Sequence, residues 1–205
     1  MSKQLNLKNY FFINVPQQAA ISIQDWLSRL MLHGPASRFR TRFVKMLVDR
    51  ATEIDKERVK MLNEVAEKKE VEEEVDGKKV KVEKTIFLIH EKDENGRFIF
   101  DPKTGKPKVK SETLEEKEGD TYKISDENNK KFEVEWKKYL EEMFIIDVTP
   151  ATADTIYGVR DILTKTQEEF TGRMAVLYDE WCEAFETINE SKKQDKVQKT
   201  QEPKE

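Results

Sequence analysis

From Ile156 to Ile188 the chain repeats one spacing, four then three, without a slip: Ile156, Arg160, Leu163, Gln167, Phe170, Met174, Leu177, Trp181, Ala184 and Ile188. That period places all ten positions on one helical stripe, and a stripe this apolar must be covered by something. The spacing predicts one long helix from Thr149-Pro150 to about Ile188. Arg160 and Gln167 are its polar exceptions, of the kind that set register or partner in a helical seam at some cost in stability, and Trp181 is its largest anchor. A second seam, Val44, Leu47, Ala51, Ile54, Arg58, Met61 and Val65, predicts another long helix from a Ser37 cap to about Lys68.

Shorter signals fill the rest. Leu5, Leu7, Phe11 and Ile13 form a β-prone stretch. Pro16 then opens a predicted helix to about Leu32, ended by Gly34-Pro35. A third helix follows Ser125 or Asp126, with Phe132, Trp136, Tyr139, Leu140 and Met143 on its apolar face, and leads into the strand-like Phe144 to Val148. Between about 71 and 110 the period changes to two, in Val80, Val82, Ile86 and Leu88. Asp76-Gly77 and Asn95-Gly96 are hairpin-turn pairs, so this segment reads as two linked β-hairpins, with Glu72, Glu73 and Glu74 facing Lys78, Lys79 and Lys81.

The fold expected from these elements is mainly α: an antiparallel helical bundle or long helical hairpin with an inserted β-hairpin arm. Residues 1–188 make a single domain with the insertion at about 71–110, and 189–205, rich in lysine and glutamine, form a disordered charged tail. A 38% charged share against 37% apolar suits long exposed helices and a solvated excursion.

Composition narrows the chemistry. The 37 basic and 41 acidic residues nearly cancel to a net charge of −4, so no global field draws the chain to nucleic acid or an anionic membrane. Cys182 is the sole cysteine, which excludes an intrachain disulfide framework and a multi-cysteine zinc site. Beside it, the sequence supplies no base to make it a nucleophile. With only His33 and His90, histidine clusters are excluded. Carboxylate pairs such as Asp154 with Asp161 or Glu168 with Glu169 read as solvated helix faces. Gly105-Lys106-Pro107 lacks the spacing of a phosphate loop. Neither a catalytic centre, a cofactor site nor a metal site is therefore expected, and the chain reads as no enzyme. No apolar run is long enough to span a bilayer, and Met1 to Asn6 lacks the core of a signal peptide, so a cytosolic protein is expected.

The local exception is Ser37-Arg38-Phe39-Arg40-Thr41-Arg42-Phe43-Val44-Lys45. Arg38, Arg40, Arg42 and Lys45 at a helix start suit a phosphate or an acidic partner. The plainer reading pairs these cations with the chain's own acids and places Phe39 and Phe43 in the core.

Ser37 to Leu47, continued by Glu53-Ile54-Asp55-Lys56-Glu57-Arg58 and Glu64-Val65-Ala66-Glu67-Lys68, resembles a family of small tailed-phage and prophage proteins of unknown function. Tyr122-Lys123-Ile124, Asn128 to Phe132 and Leu140 to Ile146 resemble that family's C-terminal half. The likeness covers roughly residues 17 to 147 and stops short of the final periodic segment. It implies a viral accessory protein in the host cytoplasm or the virion, and carries no active site. The expectation is a non-enzymatic accessory, virion or assembly protein that works through protein contacts at its helical seams and hairpin arm. The alternative is a nucleic-acid-associated protein using residues 38–45.

Overall fold

The computed structural model describes the backbone of residues 3–15, 20–75 and 78–199, and side chains as far as Ile188 except that of Val75. It divides into two compact units, residues 1–56 with 138–205, and residues 57–137. The fold is α+β, 49% helix and 23% strand, and this corrects the expected mainly helical bundle with one hairpin arm. Among the described residues there are five helices and three small antiparallel sheets. The correction has two physical sources, a long-range strand pairing in the first unit and a β region in the second that holds a three-stranded sheet besides a hairpin.

In the first unit, β1 (Gln4–Lys8) pairs with β7 (Met143–Asp147), Leu5 opposite Ile146 and Leu7 opposite Phe144. Neither strand is long enough to stand alone, and their alternation buries Leu5, Leu7 and Ile146 on one face. A 3-10 turn, Asn9–Phe12, follows β1. Next comes α1 (Ile23–Arg29), shorter than predicted, because Ser22 caps it by accepting from the Asp25 N–H at 3.4 Å. The expected helix entrance at Pro16 lies outside the described residues.

Gly34 does not end a helix but begins one. It takes φ +57° and opens α2 (Gly34–Val65), with Pro35 in the first turn where its missing N–H is no loss. Of the predicted seam, Leu47 and Ile54 are buried, with Phe43 alongside them.

The single helix predicted over 150–188 is two. Helix α4 (Ala153–Lys165) and helix α5 (Gly172–Lys199) are separated by residues 166–171. Leu163 lies beside Tyr178, whose hydroxyl donates to the Leu163 carbonyl, while Arg160 and Thr164 share a cleft with Cys182 and Phe185. Sequence order rises on one helix as it falls on the other, so the two run antiparallel and cover each other. Phe170 closes the turn, stacked on Tyr178 at 4.4 Å between centroids and edge-on to Trp26 at 6.0 Å. The link is about one heptad long, so it keeps the four-three phase of the pattern while reversing the chain. The predicted tail overlaps the end of α5, where no side chain is described, and reaches 200–205, which lie outside the described residues.

The second unit is built from hairpins. β2 (Lys68–Val75) pairs with β3 (Lys78–Thr85), bringing Glu72 opposite Lys81 and Glu74 opposite Lys79. Lys79 pairs with Glu72 at 3.5 Å, and Lys81–Glu70 and Lys84–Glu73 are further ion pairs across the ladder. The turn at Asp76-Gly77 lies outside the described residues. A three-stranded sheet in the order β5-β4-β6 joins β4 (Phe87–His90), β5 (Val109–Thr113) and β6 (Thr121–Tyr122). The β region thus extends to Tyr122, beyond the predicted arm.

These hairpins branch at two three-way junctions of the same form. At the first, Glu67 N–H donates to Lys123 O, Lys123 N–H to Ile86 O and Ile86 N–H to Glu67 O, at 2.8 to 2.9 Å. At the second, Glu91 N–H donates to Lys108 O, Lys108 N–H to Ile99 O and Ile99 N–H to Glu91 O, at 2.8 to 3.0 Å. Each ring of three bonds lets one pair of strands fork into two hairpins without orphaning backbone groups. The final helix of the unit, α3 (Asp126–Leu140), buries no residue fully, although Phe132 and Trp136 stack upon each other. Its Asn128 amide donates to the Val65 carbonyl at 2.9 Å and so caps α2.

Candidate functional site

The basic cluster of the sequence is divided by the fold. Arg40 turns inward, donating to the Leu30 carbonyl at 2.6 Å and to Ser37 Oγ at 3.3 Å, and so ties the end of α1 to the start of α2. Arg38, Arg42 and Lys45 lie exposed, spaced four and three along α2. Among the described residues none of these three forms an ion pair. Phe39 and Phe43, between these cations in sequence, do pack inward. Phe43 is buried against Phe185 at 5.6 Å, and Phe39 lies against Gly158 of α4.

An apolar cleft of about 320 Å³ is lined by Ala36 and Phe39 of this same helix start, by Leu30 and Leu32 ahead of it, and by Ile162. Asp161 and Lys165 stand at its rim, and Asp161 is already engaged by Arg160 at 3.2 Å and Lys165 at 4.0 Å. Met31, between two lining residues, is 89% exposed. The cleft follows from local chemistry: the short α1 stops at Leu30, α2 restarts at Gly34, and the intervening Met31-Leu32-His33 carries apolar side chains with no helix to bury them. Sequence reasoning missed this site, because its walls come from three separate elements.

The residues expected to meet a partner along the last seam are placed otherwise. Trp181 is fully buried, 5.6 Å from Trp26 and 6.5 Å from Phe11 between ring centroids. Arg160 pairs with Asp161 and lies over the Tyr157 ring at 5.1 Å. Gln167 is exposed in the link between α4 and α5. The structure does not bring these three together.

Cys182 is partly buried, and burial pushes its thiol above the ordinary range, with Glu186 and Asp179 adding to the shift against a bond from Tyr178. A thiol held protonated is a poor nucleophile. Among the described residues no group of three His, Cys, Asp or Glu side chains is placed to hold a metal ion, and no helix is long and apolar enough to cross a membrane. Compared with protein-family models, curated proteins and solved structures, the chain matches none.

Proposed function

We propose that this is a non-enzymatic accessory protein that works by binding another protein, and that the contact is made at the cleft and cationic stripe of α2. The observation that carries this reading is the set Arg38, Arg42 and Lys45, exposed and without ion pairs among the described residues, on the same helix whose Ala36 and Phe39 line an apolar cleft. A partner matching both features offers an apolar side chain for the cleft, flanked by carboxylates for the stripe, as an acidic amphipathic helix does. Burying an apolar anchor supplies affinity, while the rim charges set encounter rate and specificity. The resemblance of residues 17 to 147 to tailed-phage proteins supports a setting in virion assembly or another step of infection.

A second reading, nucleic-acid binding by the same three cations, is favoured by their lack of ion pairs among the described residues. Titration of a fluorescent glutamate- and leucine-rich helical peptide, and separately of a short duplex DNA, into the full chain separates the two. Peptide binding that disappears in Arg38→Glu/Arg42→Glu/Lys45→Glu, and falls when Leu32→Asp puts a charge in the cleft, is the expected result. Duplex binding with a steep salt dependence and indifference to Leu32→Asp would overturn it in favour of nucleic acid.

A further inference from the structure

The second three-way junction carries a surface that the α2 reading does not use. Between Arg97 and Lys110 the chain has the cations Arg97, Lys103, Lys106, Lys108 and Lys110 against one acid, Asp101. Interleaved with them are Phe98 and Phe100, 38% and 56% exposed, and Val109, also exposed. Turn chemistry explains the backbone here. Asp93 Oδ1 accepts from the Asn95 and Arg97 N–H groups, both at 2.9 Å, with Gly96 at φ +76°. Asp101 Oδ1 accepts from Lys103 and Thr104, with Gly105 at φ +66°. Nothing in that turn chemistry requires two phenylalanines at the surface. Phe98 has some cover, with Lys92 over its face at 5.3 Å and His90 edge-on at 5.6 Å. Phe100 has no ring or cation partner among the described residues.

A shallow groove of about 500 Å³ lies alongside, lined by Ile89, His90, Glu91, Lys92, Ile99 and Lys110. Of the five cations from Arg97 to Lys110, only Lys106 forms an ion pair among the described residues, with Asp126 at 3.2 Å. Exposed aromatic rings among cations that mostly form no ion pair, with Phe98 against the groove-lining His90 and Lys92, match a flexible polyanion whose anionic groups alternate with flat apolar rings. Single-stranded nucleic acid has that chemistry. Duplex DNA keeps its rings stacked inside, and an acidic peptide offers no regular series of flat faces. We propose that this hairpin cluster binds single-stranded nucleic acid, with bases stacked on Phe100 and Phe98 and phosphates held by Lys92, Arg97, Lys108 and Lys110.

The inference stands apart from the α2 reading and can fail separately. The test is fluorescence anisotropy of a labelled oligothymidylate of about fifteen residues with the full chain, near 50 mM and near 200 mM salt. Salt-dependent binding is expected, weakened about tenfold by Phe100→Ala and restored by Phe100→Trp. Lys108→Gln/Lys110→Gln is expected to lower the slope of log affinity against log salt by about 1.4, at about 0.7 for each phosphate no longer neutralised. All these side chains are exposed, and unchanged circular dichroism verifies that the variants fold. The proposal is overturned if the oligonucleotide does not bind near 50 mM salt or if the two phenylalanine variants bind as wild type does. It is overturned equally if a duplex of the same length binds as tightly or a hexaglutamate peptide competes on equal terms. Loss of binding in Arg38→Ala/Arg42→Ala/Lys45→Ala with none in the hairpin variants would move the site to α2 and also overturn it.

Discussion

A carboxamide is costly to bury unless both of its ends are bonded, and Asn9, wholly buried, meets that condition. Its amide donates to the Tyr139 carbonyl at 2.8 Å, and its oxygen accepts from Arg50 Nε at 3.1 Å and Nη2 at 2.8 Å. Arg50 also pairs with Glu53 and lies over Tyr139 and Phe144. Asn9→Leu removes all three of these bonds, leaving the Tyr139 carbonyl with the Glu142 N–H and the guanidinium with Glu53, and should cost about 1–3 kcal/mol in chemical denaturation. Gly158 is a second such residue. Alanine is ordinarily better than glycine within a helix by about 1 kcal/mol, but a Cβ here would run into the Phe39 ring. Gly158→Ala should therefore lower the melting temperature rather than raise it, with an overpacking cost of about 1–3 kcal/mol.

Tyr178 and Cys182 form a third residue-scale case. Burial is the first cause that raises both above their ordinary values of 10.0 and 9.0; Cys182 and Glu168 raise Tyr178 further, while Glu186 and Asp179 raise Cys182 against a lowering bond from Tyr178. Their neutral forms are thus favoured in the folded state. The stability this brings is full below the unfolded values and is lost as pH rises from about 9 through the folded ones. Unfolding free energy should fall across that alkaline range. Tyr178→Phe, which also loses the bond to Leu163, should be less stable at neutral pH yet show a shallower alkaline decline.

At the scale of elements, the β2–β3 hairpin is held in register by backbone bonds and cross-strand ion pairs, most of its side chains open to water. Exposed ion pairs contribute little and are screened by salt. Glu73→Gln, which removes the partner of Lys84, should shift the melting temperature by less than roughly 2 °C. The α4–α5 pair shows the opposite balance. Its antiparallel packing covers Leu163, Leu177, Trp181 and Phe185, and the link is pinned by Phe170 and by a 2.7 Å bond from Trp26 Nε1 to Glu168. The four-three pattern marked Ile156, Leu163, Met174, Leu177, Trp181 and Ile188, all buried, but it left out Val159, Ile162 and Phe185, buried as well, and took in Gln167, which is exposed. It could not mark the reversal, because a link of about one heptad leaves the phase unbroken, and Gly172, at φ +57°, is the local signal that a turn was available.

Across the whole molecule burial is uneven. Leu5, Leu7, Trp26, Leu47 and Trp181 belong to the first unit, whereas in the second only Ala66 and Phe87 are buried hydrophobics among the described residues. Hydrogen exchange should follow that difference. Amides of β2 to β6 should exchange through local openings well before those of β1, α4 and the part of α5 packed on it, as measured peptide by peptide by mass spectrometry. Equal protection in the two units would contradict this.

Local chemistry alone determined much of this protein. Turn residues such as Asn95-Gly96, the two-residue alternation of Val80 and Val82, the cap before α3 and the helical phase of Leu163, Phe170 and Leu177 all act within a few positions, so they are legible in one dimension. Tertiary structure decided what lies many residues apart. It paired Leu5 with Ile146, folded the last seam upon itself, turned Arg40 inward while leaving Arg38, Arg42 and Lys45 outside, and assembled a cleft from Leu32, Phe39 and Ile162. The reason is physical: periodicity records that a side chain needs cover, whereas the identity of the cover depends on which distant surface loses most water by meeting it.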